Sequence, residues 1–178
     1  MIIWGVQYAP FRGDYMRIIG IDASTNMTGI AVFEDGKYVT HTLIDLHRIK
    51  ESDKRIPMMM VAICDYLDKC NADKIIMEKS MFTNNIATVQ MLSQLAGAVL
   101  LYATKNGVDI EFAMPSAWRK TVGLSQSSKI KREVLKQEAI AAVKQEYGLD
   151  ITDDESEAVL ISRSGFDLPK IVLTQQNE

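Results

Sequence analysis

The chain has 178 residues, enough to bury the core of one compact domain without disulfides. Hydrophobic residues make up 47% and charged residues 24%, which excludes a disordered or low-complexity chain, and the net charge of −3 argues against nucleic-acid binding through overall positive charge. No uninterrupted apolar run approaches the roughly 20 residues of a bilayer span, and residues 1–15 lack a basic start before an apolar stretch, so the expectation is a cytoplasmic protein without membrane contact.

Residues 1–15 read poorly as regular structure and are expected to be an extension preceding a domain over 16–166, with 167–178 as a tail. From Met16 the run Arg-Ile-Ile-Gly-Ile-Asp reads as an apolar strand ending in an acid. Residues 28–33 make a second strand, Asp35-Gly36 supplies a hairpin signal, and 38–44 alternate as a third. Apolar side chains at helical spacing predict a helix over 53–69, with Met58, Met59 and Met60 as adaptable packing. Cys64 and Cys70 have no His or further Cys nearby to complete a zinc set and are expected to be reduced core residues. A fourth strand over 74–78 again ends in an acid. A long helix over 84–105 follows and stops at Asn106-Gly107. Residues 108–112 read as a fifth strand, Pro115 opens a short helix, 123–128 form a small-residue loop, and a basic helix over 129–147 stops at Gly148. A last helix runs over 152–162, capped by Thr152 or Asp153, with acids in the first turn where the macrodipole favours them. Hairpins demand antiparallel pairing and strand-helix-strand crossovers demand parallel pairing, so the sheet is mixed and flanked by helices.

Three acid positions stand out: Asp22 ending the first strand, Glu78 ending the fourth, and Asp154 with Glu157 on the last helix. Ligands gather beyond the carboxyl ends of strands in α/β sheets, and if strands one and four are neighbours, Asp22 and Glu78 meet there. Asp154 and Glu157 are three apart and share a helical face, and Asp153, four before Glu157, is a substitute. Carboxylates so gathered repel unless cations neutralise them, and oxygen-only ligands suit Mg²⁺, or Mn²⁺ in its place, rather than zinc. Two such ions about 4 Å apart support in-line phosphodiester hydrolysis. Each acid taken singly reads equally as a turn residue or as a helix-start charge; the order of all of them carries the metal reading.

Ile18-Ile19-Gly20-Ile21-Asp22, Thr28-Gly29-Ile30-Ala31-Val32, Ile75-Ile76-Met77-Glu78 and Asp154-Glu155-Ser156-Glu157-Ala158 together resemble the motif order of RuvC-type Holliday-junction resolvases, over residues 16–166. Asn84, Gln94 and Gly97 fall where the family helix carries similar residues. The resemblance implies a ribonuclease H-like α/β fold with a mixed five-stranded sheet, three antiparallel strands preceding the parallel ones. It further implies a homodimer that nicks two opposing strands of a four-way DNA junction, with Asp22, Glu78, Asp154 and Glu157 holding two Mg²⁺ ions. The family usually has Asp where this chain has Glu157. The family also places a stacking aromatic a few residues after the strand-four acid, where this chain has Met81 followed by Phe82; Phe82 reads either as a junction wedge or as core.

Lys79, Arg119, Lys120, Ser127, Lys129, Lys131 and Arg132 are the expected DNA contacts, with Ser125, Ser128 and Lys136 nearby, although a basic helix also reads as a solvated face. Ala96-Gly97-Ala98 allow a second helix to approach closely, so the long helix is expected at a dimer interface. His41 and His47 are expected to have no catalytic role. Nucleotide-binding relatives of the same superfold need two such domains, so no nucleotide cofactor is expected. An RNA-directed nuclease and a branched-DNA binder that does not cut are the alternatives.

Overall fold

Alternation along each strand decides which side chains meet which helices. The structure, a computed structural model, describes residues 15–80, 85–127 and 129–174. Among these, β1 (Arg17–Ala23), β2 (Met27–Glu34), β3 (Lys37–Asp45), β4 (Lys74–Glu78) and β5 (Asp109–Ala113) form one sheet in the order β3-β2-β1-β4-β5. β1 pairs antiparallel with β2, and β2 with β3, whereas β1–β4 and β4–β5 are parallel. The mixed sheet is as the sequence predicts. Asp35 and Gly36 both take positive φ, 48° and 76°, the requirement of the tight turn whose twist matches the two strands it joins.

Ile19, Ile21, Ile75 and Met77 face α1 (Ser52–Cys70) and α2 (Ile86–Asn106) on one side of the sheet. Ile18, Ala31, Phe33 and Ile76 face the other side, packed by α3 (Pro115–Val122), α4 (Arg132–Tyr147) and α5 (Asp153–Arg163). By the period of two, Asp22 follows Ile18 and Gly20, and Glu78 follows Ile76, so both acids belong to the α5 side. α5 is buried along nearly its whole length, and its start is locked by a capping box in which Thr152 and Glu155 satisfy each other's backbone N–H. It lies directly on the sheet because Gly20 and Gly29 have no side chain: a Cβ on Gly20 would stand 2.3 Å from the Ser162 amide nitrogen, and one on Gly29 2.1 Å from the Asp154 carbonyl oxygen.

Two expectations change, and a third needs a qualification. The basic helix starts at Arg132 rather than 129, because Ser127 forms a turn in which its Oγ accepts from the Lys129 N–H and its carbonyl from the Ile130 N–H. Residues 167–174 are no loose tail: Ile171 is buried in the core and its N–H donates to the Val122 carbonyl at 2.8 Å. The membrane argument demanded an unbroken apolar run, yet α2, interrupted by a few polar residues, is long and apolar enough to cross a membrane by length and composition. Cys70 is buried, Cys64 half-buried, and both are free. Residues 1–14, Met81, Phe82, Asn84 and Ser128 lie outside the described residues, and the extension and wedge expectations with them.

Candidate active site

Parallel pairing of β1 with β4 puts Ile21 opposite Met77, one residue short of each terminal acid. Asp22 and Glu78 therefore leave adjacent strand ends on the same face. The glycine-mediated approach of α5 brings Asp154 and Glu157 over them, and all four carboxylates line one pocket of about 420 Å³ with Ser24, Arg119 and Arg132. Asp154 and Glu157 are only 8% and 7% exposed. Asp22 and Glu78 keep a part of their surface at the pocket while protein encloses the rest.

Electrostatics follow from that enclosure. Burial, then the neighbouring charges of Glu78, Glu157 and Asp154, hold the Asp22 carboxyl well above the ordinary range, with Arg132 offsetting in part. Burial and Glu157 push Glu78 up to about 7 against the opposing Trp118 N–H. Burial and Asp153 raise Asp154. Internal cations reach some of the acids: Arg119 pairs with Glu157, and Lys136 pairs with Asp153 and stands 4.0 Å from Asp154. Among the described residues none forms an ion pair with Asp22.

The structure separates the residues expected to act together. Asp153, the substitute ligand, lines no part of the pocket; burial raises its carboxyl, but the Lys136 ammonium and helix-start N–H groups bring it below its usual value. Arg119 is not a surface base: it is 3% exposed, its Nη1 donates to the Leu135 carbonyl at 3.2 Å, and it faces Glu138 as well as Glu157. Its position on the face of α3 that packs against α5 turns Arg119 inward to the pocket wall. Lys79, Lys120, Ser127, Lys129, Lys131 and Arg132 are exposed, and of these Arg132 reaches the pocket lining. His41 and His47 stand outside the pocket lining: His41 Nδ1 meets Tyr38 Oη at 2.5 Å and its Nε2 lies 3.4 Å from Glu155, while His47 pairs with Asp45 at 2.5 Å.

Trp118 is the neighbour of a candidate acid that sequence reasoning missed. Its indole N–H donates to Glu78 Oε2 at 2.7 Å. Nothing in the spacing of α3 marks it, because the bond depends on which helix packs against β4.

Among the described residues no three acids form a ready-made metal cluster. The donor chemistry nonetheless fits divalent cations. Every acid offers oxygen only, and the raised Asp22 and Glu78 are those whose repulsion a cation would relieve.

A family model described as "Crossover junction endodeoxyribonuclease RuvC" matches residues 18–161. Curated relatives of that description from Mycobacterium bovis and Mycobacterium leprae are 29% and 27% identical over 112 residues. The match takes in 60% of this chain and 60% of each of those proteins, so the chain spans less than two thirds of the relatives it matches. Among solved structures, Thermus thermophilus RuvC in complex with Holliday junction substrate aligns with a TM-score of 0.64 at 15% identity, covering 84% of this chain and 91% of that one. Fowlpox virus resolvase, in complex with Holliday junction DNA, aligns with a TM-score of 0.55 at 12% identity, covering 84% and 98%. At those identities the likeness speaks for the fold.

Proposed function

Because the chain belongs to the RuvC family of crossover junction endodeoxyribonucleases, we propose that it is a structure-specific endodeoxyribonuclease that resolves Holliday junctions by paired, symmetric phosphodiester hydrolysis. The observation that carries this reading is the meeting of Asp22, Glu78, Asp154 and Glu157, from two strand ends and one helix, in a single pocket beside Arg132. These four acids are assigned to hold Mg²⁺, with Mn²⁺ as a substitute, two ions per site. When bound, such ions activate water and stabilise the leaving oxygen.

The chain's own groups do the rest. The buried carboxylates fix where cations sit, while Arg132 at the pocket edge and Lys79, Lys120, Lys129 and Lys131 outside it present positive charge to the phosphates of the two arms. Ser127 Oγ accepts from the Lys129 N–H and keeps its own O–H free to donate to a phosphate. A homodimer supplies the two sites that a two-fold junction requires. Residues 16–166, with the strap that follows, are assigned to one nuclease domain acting where DNA is accessible in the cytoplasm.

The test is incubation of the chain with a four-way junction and Mg²⁺ or Mn²⁺, mapping nicks on all four strands. Symmetric nicks on two opposing strands are the expected result. Intact junctions, or cleavage of structured RNA in preference to them, would overturn the proposal.

A further inference from the structure

Helix α3 contributes no acid to the pocket, yet two consecutive residues of it each hold one. Trp118 Nε1 donates to Glu78 Oε2 at 2.7 Å, and Arg119 pairs with Glu157 Oε1. Neighbours on a helix point about 100° apart, so two in succession do not ordinarily serve one site. Here they do because the Arg119 guanidinium lies over the Trp118 ring, 4.6 Å from its centroid. The remaining directions of the guanidinium are also fixed. Nη1 donates to the Leu135 carbonyl and lies 3.8 Å from Glu138, whose carboxylate in turn accepts from the Ser125 N–H and hydroxyl.

Burying a guanidinium is costly unless its donors are used, and here they go to Glu157, to the neighbouring Glu138 and to the Leu135 carbonyl of α4. Glu78 comes from β4 and Glu157 from α5, so nothing local sets the distance between two carboxylates that repel each other. Donors on the buried face of one short helix do.

We propose that Trp118 and Arg119 are the positioning residues of the acid cluster, gripping Glu78 and Glu157 from a single helix so that these two acids are held beside the pocket before cations bind. The inference rests on the divalent-ion reading of that pocket. Removing partners of this kind costs metal ligands about tenfold or more in affinity.

Three variants test it. Trp118→Phe keeps a ring and deletes the N–H; Arg119→Lys keeps the charge and deletes the planar fork. Val122→Ala thins the core from the same helix and touches no acid. Mn²⁺ alone is titrated calorimetrically into the DNA-free protein, alongside thermal melts, junction affinity without divalent ion and single-turnover cleavage. Trp118→Phe and Arg119→Lys are expected to weaken Mn²⁺ binding about tenfold and slow cleavage comparably, with junction affinity within about twofold of wild type. Val122→Ala is expected to lower the Tm and leave Mn²⁺ affinity alone. If Trp118→Phe does not fold, the charge-conserving Arg119→Lys carries the comparison. Equal Mn²⁺ affinity in all folded variants overturns the positioning role while leaving the nuclease reading intact. Wild-type protein that binds Mn²⁺ and cuts no junction sinks the nuclease reading and leaves the comparison valid, whereas wild-type protein that binds no Mn²⁺ overturns both.

Discussion

Glu78 sits at about 7 rather than its ordinary 4.5, and Asp22 is raised as well, so the folded chain keeps protons that the unfolded chain has already released. Across that window the unfolded state binds fewer protons, and the metal-free protein therefore loses stability as pH rises through it. A divalent ion reverses the trend by favouring the ionised acids. Thermal melts with chelator and with Mg²⁺ should show a larger Mg²⁺-induced rise in Tm at pH 7.5 than at pH 5. Asp22→Asn in chelator should melt a few degrees higher than wild type, in keeping with removal of a crowded charge, and should lose the Mg²⁺ response together with cleavage. An equal Mg²⁺ effect at both pH values would show that these acids are not where the ion binds. At this scale the acids were legible in the sequence, because a charge closing an apolar strand is conspicuous. Trp118 and the burial of Arg119 were not, since nothing in local spacing tells which helix will lie against which acid.

Strands and helices were largely readable from period and stop signals, and the glycine stops after α2 and α4 hold at φ values of 65° and 70°, while Gly123, read as the start of a loop, closes α3 at 95°. The start of α4 was misplaced because a Ser127 turn and a helix N-terminus use the same residue types. The docking of α5 onto β1 and β2 was not readable at all. Gly29 stands in a strand whose pattern needs no glycine, and only the approaching helix explains it. Gly29→Ala is expected to push the first turn of α5 off the sheet, destabilising the fold by about 1–3 kcal/mol and lowering the Tm accordingly. Mg²⁺-dependent cleavage should fall further than stability, since Asp154 moves with that turn. An unchanged melting temperature would mean that the close contact is not tight.

For the molecule as a whole, the side of the sheet covered by α1 and α2 carries exposed apolar residues on both helices: Met58 and Val61 on α1, and Ile86, Leu100 and Leu101 on α2. A Cβ on Gly97 would meet nothing within 4 Å, which leaves room for a second backbone. This is the face expected to carry the proposed homodimer; Leu95, Val99 and Ala103 meanwhile anchor α2 to its own sheet. Leu101, 62% exposed, is a safe probe. Leu101→Glu is expected to keep the fold, sediment as a monomer at micromolar concentration and nick one strand per encounter instead of two. A variant that still sediments as a dimer would move the interface elsewhere, and flotation of wild-type protein with lipid vesicles would reassign the apolar face to a membrane.

The strap over 167–174 runs back to the short helix that grips two of the acids. Besides the Ile171–Val122 bond, Arg163 Nη2 donates to the Pro169 carbonyl at 2.8 Å, and Gly123 is pressed so close that a Cβ there would stand 2.7 Å from the Ile171 carbonyl oxygen. A cut or fusion joint placed after Phe166, where homology to the family fades and the residues look expendable, would unlace α3 from below. Damage to the chemistry would then arrive through a stretch of chain that never touches the pocket.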